Sequence, residues 1–218
     1  MWLTKKINLN WDFKLIKSKK LSKFKNIEHA FFNKKSGKST TVYKRFNDSA
    51  NSSDIKKNVF NNLKIIGKKI IFDQKKVILL NQIHSDKFYY IDKKSKLNNF
   101  KFYGDALITN ISNTPIGVLT ADCAPILLFD KQMKMTAAIH AGWKGAYKGI
   151  IKKVVKFMIK KGCSPSNITA VIGPCISLKS YEVKQDFIKK FIKNDKKTIL
   201  FFKKIKNKNY FNLNKYIS

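Results

Sequence analysis

The sequence predicts an α+β fold, in which a single domain holds a mixed β-sheet with flanking helices. Short apolar runs of four or five residues, typical of strands, outnumber the helical patterns and follow one another along the chain. Strands grouped in this way favour an α+β arrangement over a regular alternation of strand and helix. At 218 residues the chain is long enough for one domain, 1–218, with a substantial core.

Three segments have the period of an amphipathic helix. In the segment 54–69, apolar side chains recur at Ile55, Val59, Phe60, Leu63 and Ile66, and Ser53 or Asp54 can cap its start. A second helix is predicted at 150–159, where paired apolar residues mark one face and Gly162 ends the pattern. A third is predicted at 183–191.

The remaining apolar runs predict strands. The lysine-rich segment 1–26, with its scattered aromatic residues, predicts one or two edge strands. Further strands are predicted at 77–80, 88–91, 105–109, 116–120, 126–129, 136–140, 168–172 and 198–202. Neither of the two glycine-rich nucleotide-binding patterns, GxGxxG and GxxxxGK[ST], occurs in the chain.

The formal net charge of +33 raises the question of nucleic-acid binding. Proteins that bind specific nucleic-acid sequences use arginine to form bidentate hydrogen bonds with phosphate and guanine, and Arg45 is the sole arginine of this sequence. The lysines are spread over the whole chain among Asn, Ile and Phe, residues whose codons are A/T-rich, so base bias explains them. We expect non-specific adhesion to polyanions, and a dedicated nucleic-acid binder without catalysis stays as an alternative.

The hydrophobic and cysteine patterns predict a cytoplasmic protein without a membrane span. No apolar run approaches the ~20 residues of a membrane helix, since the run 115–129 is interrupted by Asp122. The N-terminal residues lack the apolar core of a secretory signal. Three cysteines are too few for a disulfide framework.

Two histidines and one cysteine predict a metal site. His84, Cys123 and His140 each lie in a short apolar or glycine-rich stretch, where a strand ends and its loop begins. Two imidazoles and a thiolate give a zinc-sized ion three ligands and leave a fourth position open, which is the arrangement of a catalytic site. A Cys123/His140 pair acting as nucleophile and base is the competing interpretation.

Neighbouring residues are candidates for supporting roles. Asp122 interrupts an apolar run, so it is expected to orient a ligating histidine or to act as a general base. Trp143 can stack on a planar substrate or close the edge of the core. Lys144 is a candidate anion contact, although lysine is abundant in this chain.

These residues lie in motifs that resemble those of the YfiH/YlmD-like family, described as laccase-domain or multicopper polyphenol oxidase-like proteins, purine nucleoside phosphorylases and the peptidoglycan editing factor PgeF. Five motifs occur in the family's order, and a Tyr-Glu-Val segment continues the match. The motifs occupy 81–85, 104–109, 117–125, 138–145 and 172–176, and the Tyr-Glu-Val segment occupies 181–183.

The resemblance implies an α+β domain that binds zinc, with copper as the other candidate, through His84, Cys123 and His140. It implies that the partners are purine nucleosides and phosphate, with phosphorolysis of adenosine, inosine and S-methyl-5′-thioadenosine and deamination of adenosine. A cysteine or metal hydrolase that edits a peptidoglycan precursor is the alternative. A copper polyphenol oxidase is a further one, although three ligands are too few for a multicopper cluster.

Two departures from the family pattern affect what is expected. Lys34 stands where the family has an arginine, so a phosphate contact there loses the bidentate fork of arginine. The sequence also ends at Ser218, where the resemblance implies a further C-terminal segment, so we expect a less stable fold or a weaker site. A monomer or homodimer is expected.

Overall fold

A five-stranded sheet forms the centre of the structure, a computed structural model that describes residues 15–33, 38–39, 53–71, 77–95 and 102–218. Its order is β1-β2-β4-β3-β5. The β1–β2 pair is parallel and the other pairs are antiparallel, so the sheet is mixed, as predicted. The strands are β1 (Phe88–Ile91), β2 (Ala106–Thr109), β3 (Ala124–Asp130), β4 (Met135–Ala141) and β5 (Ile168–Ile172).

Helices and a second, smaller sheet flank this central sheet. The antiparallel second sheet has the order β6-β8-β7, with β6 (Glu182–Val183), β7 (Phe202–Ile205) and β8 (Lys208–Phe211). The helices are α1 (Lys56–Ile71), α2 (Trp143–Tyr147), α3 (Ile150–Lys160), α4 (Gln185–Asn194) and α5 (Leu213–Ile217). None of the helices in the described part of the chain is long and apolar enough to cross a membrane.

The main core lies between one face of the central sheet and α3. Alternate residues of the strands, such as Ile126 and Ile139, point to this face because side chains of a strand alternate. They meet Ile150, Val154 and Met158, which recur at helical spacing along α3 and are fully buried. Aromatic residues of α4 and β8 extend the same core, so both sheets share it.

Two smaller apolar clusters lie outside this core. One contains Ile91 of β1 and Leu107 of β2, on the opposite face of the central sheet, and in the other α1 buries Val59, Leu63 and Ile66 against Val77. Because both faces are covered, six of the seven residues of β4 are buried. His140 shares this second face with Thr136 and Ala138, since all three alternate with the residues that face α3.

Most predicted elements are confirmed, with boundaries that differ by a few residues. The helices predicted at 54–69, 150–159 and 183–191 correspond to α1, α3 and α4, and the strands predicted at 88–91, 105–109, 126–129, 136–140 and 168–172 correspond to β1 to β5.

Three strand predictions are wrong. The runs 77–80 and 116–120 form only a single bridge with each other, between Ile78 and Ile116, and residues 116–119 are only half-buried. The run 198–202 begins as a 3₁₀ helix, Lys196–Phe201, because the Asp195 side chain accepts the N–H of Lys197 and caps it.

The segment predicted to hold N-terminal edge strands is only partly described. Residues 1–14 lie outside the described residues. Between residues 15 and 26 the chain forms one bridge, Ile16 to Phe31, and a 3₁₀ turn at Leu21–Lys23.

Candidate metal centre

His84, Cys123 and His140 converge at one end of the central sheet. Their ligand atoms all lie within 4.8 Å of one another, and Cys123 Sγ is 3.8 Å from His84 Nε2. The two imidazole rings meet edge to face, with centroids 4.8 Å apart. His140 is buried, Cys123 is half-buried and His84 is exposed, so the group opens to solvent on one side. The predicted convergence is confirmed.

Strand pairing brings Cys123 and His140 together. β3 and β4 are antiparallel, with Pro125 opposite His140 and Ala124 opposite Ala141. The residue before β3, Cys123, is therefore next to the residue after β4, Gly142. A Cβ atom on Gly142 would lie 2.8 Å from Cys123 Sγ and 3.1 Å from His84 Cδ2. Glycine is required at position 142 because any side chain would enter the space between these two groups.

Two sets of hydrogen bonds fix the loop that carries His84. The Gln82 side chain bonds to Leu119 twice, donating to its carbonyl and accepting its N–H, both at 2.7 Å. This clamp holds the His84 loop beside the segment that leads to Cys123. His84 itself has φ of 55°, a left-handed conformation that is uncommon for residues other than glycine. Its N–H donates to Asp105 Oδ1 at 3.0 Å, which holds it in that conformation.

Asp105, the residue before β2, organises both histidines. Its carboxylate is fully buried and accepts four hydrogen bonds. One comes from His140 Nδ1 at 2.8 Å and one from the backbone of His84, while Ser85 donates its N–H at 2.6 Å and its hydroxyl at 2.7 Å. Burial by itself raises the pKa of Asp105, but the bonds from His140 and Ser85 outweigh it and lower the pKa to about 2.

The two histidines have opposite pKa shifts. Burial disfavours the charged form of His140, but the hydrogen bond to Asp105 and the proximity of Cys123 outweigh burial and raise its pKa to about 9. Because Nδ1 of His140 is bonded to Asp105, Nε2 is the atom left to face the centre. The pKa of His84 is lowered, first by desolvation, then by the charge of His140, with Lys144 adding a smaller effect and Asp105 opposing them.

The structure corrects the role expected of Asp122. Its side chain is exposed, and the carboxylate that orients His140 is that of Asp105. In the described part of the chain, the Asp122 contact that fixes position is made by its backbone carbonyl, which accepts the N–H of Ile176. The role of Asp122 as a general base stays a prediction.

The predicted substrate contacts lie on α2 or outside the described residues. Trp143 packs edge to face on Phe187, with ring centroids 4.9 Å apart. This is the second of the two expected alternatives, in which the ring closes the edge of the core. Lys144 is exposed beside the metal centre, where its charge reaches His84. Lys34 lies outside the described residues.

Three residues near the centre have roles that the sequence did not reveal: Gln82, Ser85 and Asp105. The signal available in the sequence for Asp105 was a charged residue directly before an apolar strand. Such a residue must be paired when it is buried, as Asp105 is in the structure. Cys175 is half-buried on the segment after β5, and the charge of Cys123 reaches it. The bonds of Gln82 and Ser85 are to segments far away in sequence, which local patterns do not record.

A cavity of about 1110 Å³ lies beside the centre and not within it. It runs along the sheet face that carries His140, under the N-terminal residues. Thr120, Ala121 and Pro174 line it, whereas the three candidate ligands do not. His29 also lines it, and its Nε2 accepts the N–H of Ser18 at 2.8 Å, so this histidine has a structural partner. The cavity therefore approaches the centre through the loop before Cys123.

The three side chains fit a zinc ion. Bonds of about 2.0–2.3 Å in tetrahedral geometry separate neighbouring ligand atoms by about 3.3–3.8 Å. The distance of 3.8 Å between Cys123 Sγ and His84 Nε2 agrees with this spacing, and 4.8 Å is the widest separation in the group. Among the described residues this is the one cluster of three such ligands, and it leaves a fourth position open.

Comparisons with known proteins agree with the geometry. A purine nucleoside phosphorylase of Bacteroides thetaiotaomicron is 31% identical over 195 residues, which are 86% of this chain and 72% of that protein. One from Clostridium acetobutylicum is 41% identical over 121 residues, 55% of this chain and 50% of that protein, so the chain spans half the length of this relative.

A solved structure and a family model extend the match. The crystal structure of the hypothetical protein YfiH of Bacillus licheniformis superposes with a TM-score of 0.78 at 26% identity, covering 86% of this chain and 74% of that one. Residues 28–218 match the family model described as multi-copper polyphenol oxidoreductase laccase. His84, Cys123 and His140 all fall within that match, and the chain belongs to this laccase-like family, of which YfiH is a structural representative.

Proposed function

We propose that the chain is a metal-dependent purine nucleoside phosphorylase that acts on adenosine, inosine and S-methyl-5′-thioadenosine and also deaminates adenosine. The observation that carries the proposal is the convergence of His84, Cys123 and His140 within 4.8 Å in a chain whose relatives are purine nucleoside phosphorylases. The function of the relatives supplies the reaction, and the open fourth position supplies a place where a substrate group can bind.

The proposed metal is zinc, with copper as the alternative. His84, Cys123 and His140 would hold it, and Asp105 would orient His140 through its Nδ1. A mixed imidazole and thiolate set suits either ion, although the single cluster offers too few ligands for several coppers. When bound, the ion would supply Lewis acidity at the open position.

The residues around the centre have distinct proposed tasks. In phosphorolysis a phosphate oxygen forms a bond to the ribose carbon while the bond from that carbon to the purine nitrogen breaks. Lys144, exposed beside His84, would neutralise part of the phosphate charge, and Lys34 is proposed for the same task. For deamination, Asp122 would take the proton of the attacking water. Trp143 would contact the planar base at the edge that Phe187 leaves open.

The cavity beside the centre supports a substrate of nucleoside size. It is largely apolar, and Thr120 and Ala121 at its edge precede Cys123 by three and two residues. Binding pockets for small molecules usually measure about 300–1,000 Å³, so the volume of about 1110 Å³ is ample. We propose that the nucleoside approaches the centre from this side.

We also propose that residues 1–218 act as one domain. The shared core, in which Ile126 of the central sheet and Phe211 of the second sheet are both buried, supports this. The expected outcome is one cooperative unfolding transition in urea, with the same midpoint whether it is monitored by circular dichroism or by tryptophan fluorescence.

The test is phosphate-dependent release of adenine and hypoxanthine from adenosine and inosine by the zinc-loaded protein. Cys123→Ala should abolish release together with zinc binding, because it removes the thiolate ligand. Cys163→Ala is the matched control, since Cys163 is buried beside Met135 and away from the centre. Release that does not need phosphate, or that survives in Cys123→Ala, would contradict the proposal.

A cysteine hydrolase that edits a peptidoglycan precursor is the second candidate. It is favoured by the contact of 3.8 Å between the Cys123 thiol and a His84 imidazole nitrogen, which resembles a nucleophile with its base. In that case the metal-free protein would be active, and a chelator would leave activity unchanged. Alkylation of Cys123 would then stop turnover, whereas a metal-dependent phosphorylase loses activity to the chelator itself.

A further inference from the structure

We propose that Cys123 and Cys175 form an oxidative modification site, in which a peroxide joins the two thiols in a disulfide and takes Cys123 away from the metal centre. All three cysteines of the chain are free thiols in the structure. The consequence for the metal rests on the function proposed above, whereas the disulfide itself can be tested without metal or substrate.

The pairing of β3 with β5 sets the two cysteines against each other. These strands are antiparallel, with Ile126 opposite Ile172. The pairing continues past the ends of both strands, because Gly173 N–H donates to the Pro125 carbonyl at 2.8 Å and Ile176 N–H donates to the Asp122 carbonyl at 2.9 Å. These two bonds clasp the segments 122–125 and 173–176. Cys123 directly follows Asp122 and Cys175 directly precedes Ile176, so the second bond brings the two cysteine residues next to each other.

This backbone arrangement is within the range that a disulfide needs. Opposed residues of antiparallel segments have Cα atoms about 4.5–5.5 Å apart, and disulfides join residues whose Cα atoms are about 4.4–6.8 Å apart. A bond between the two sulfur atoms therefore needs rotation of the side chains and little movement of the backbone.

Both thiols are open to a small oxidant. Cys123 and Cys175 are half-buried, so part of each residue reaches solvent. Cys175 Sγ accepts a long hydrogen bond from Asn214 Nδ2 at 4.0 Å.

The third cysteine is excluded from this pair by its position. Cys163 follows α3 and is 4% exposed, with its sulfur 3.8 Å from that of Met135. Met135 begins β4, whereas the metal centre lies beyond the end of the same strand. Cys163 is therefore at the opposite end of the central sheet and serves as an internal control.

The reaction balances with a peroxide as oxidant. The sulfur of one cysteine attacks a peroxide oxygen, the O–O bond breaks, and a sulfenic acid and one water form. The other thiol then attacks the sulfenic sulfur, the S–O bond breaks, and a second water leaves. Two thiols lose two protons and two electrons, and hydrogen peroxide is reduced to two waters. The metal centre then keeps His84 and His140 alone.

The experiment treats the full chain, stripped of metal by a chelator, with hydrogen peroxide. Free thiols are counted after unfolding, and the linked peptides are identified by mass spectrometry. We expect the count to fall from three to one, with Cys163 the thiol that remains. Reductant should restore all three. Protein loaded with zinc beforehand should oxidise more slowly, because the metal covers Cys123.

Two variants make the result specific. Cys163→Ser should form the same disulfide and lose both remaining thiols, whereas Cys175→Ser should form no internal disulfide. A count that stays at three, a linked peptide that contains Cys163, or bonds only between chains would overturn the proposal. Zinc binding before and after oxidation is measured separately, so a protein without phosphorylase activity can still pass or fail this test.

Discussion

The two ends of the central sheet each bury one carboxylate, and the two carboxylates have different partners. Asp105, before β2, bonds to the ring of His140, the backbone of His84 and both donors of Ser85. Asp130, at the end of β3, accepts three backbone N–H groups, from Gln132 and Met133 in the turn to β4 and from Ser164 before β5. Both side chains are fully buried.

The difference shows that burial of a carboxylate does not by itself indicate a function. Asp130 satisfies backbone donors of two turns, so its free energy of interaction stabilises the connection between strands. Two of the four hydrogen bonds that Asp105 accepts come from the two histidines, so Asp105 sets the positions of candidate ligands. Substitutions at Asp105 should alter metal binding, and substitutions at Asp130 should alter the free energy of unfolding.

The largest effect on stability is expected at Asp130. Asp130→Ala leaves three backbone N–H groups without the carboxylate, and hydrogen bonds to a charged group contribute about 1.5–3 kcal/mol each. We expect a loss of about 3 kcal/mol in the free energy of unfolding, with unchanged zinc affinity. Urea unfolding and a competitive zinc titration measure the two quantities. Asp186→Ala, an exposed position, is the control, and a large fall in zinc affinity in Asp130→Ala would break the comparison.

The largest effect on metal binding is expected at Asp105. Asp105→Asn keeps the shape of the side chain but loses its negative charge. One carboxylate oxygen becomes an NH2 group, which donates and therefore cannot accept the hydrogen bonds that this oxygen accepted. Loss of such a supporting carboxylate lowers metal affinity by about 10- to 100-fold, which a competitive zinc titration measures. Asp86→Asn removes the same charge from a side chain that pairs with Lys153 nearby, and it should bind zinc normally. Equal affinity in both variants would contradict the role given to Asp105.

A smaller effect on metal binding is expected at Gly142. Gly142→Ala places a Cβ at 2.8 Å from Cys123 Sγ, so the thiol must shift. We expect a loss of about tenfold in zinc affinity, the lower end of the range for groups that position metal ligands. The control is Gly149→Asn, because Gly149 has φ of 81° with open space around it and asparagine tolerates this conformation. Absorption of the cobalt-loaded protein should change in Gly142→Ala alone.

The smallest effect concerns pH at the end of the sheet that holds Asp130. Burial, together with the nearby charge of Asp130, raises the pKa of Cys163 to about 11 from an ordinary value of 9.0. The folded protein therefore holds this proton more tightly than the unfolded chain. The resulting stability is complete below pH 9 and is lost as pH rises through about 11. Urea unfolding across this window should show a steeper decline in the native protein than in Cys163→Ala.

Much of the fold and the three candidate ligands could be predicted from local patterns. The period of apolar residues fixed α1, α3 and α4 and the strands β1 to β5, because both signals depend on burial. The same patterns misplaced strands at 77–80 and 116–120, which are apolar runs that form only a single bridge with each other. Burial is recorded in the sequence, whereas the number of backbone bonds a segment makes depends on its neighbours.

The sequence predicted the three candidate metal ligands but not the residues that orient them. Cys123 precedes β3 and His140 lies near the end of β4, and the chain has only three histidines and three cysteines, so these residue types were informative. Asp122 was assigned a supporting role because it interrupts an apolar run, but it is exposed. Asp105 has that role because β2 lies beside β4 in the sheet, which places Asp105 next to His140.

The sequence by itself determined the class of fold, the position of most helices and strands, and the donor atoms available for a metal, because these follow from composition and period. The tertiary structure decided which carboxylate meets which histidine, that Gln82 clamps the loop to Leu119, and that the segment of Cys175 is hydrogen-bonded to the segment of Cys123. These contacts join segments distant in the chain, and the order in which strands pair is a property of the whole sheet and not of any local pattern.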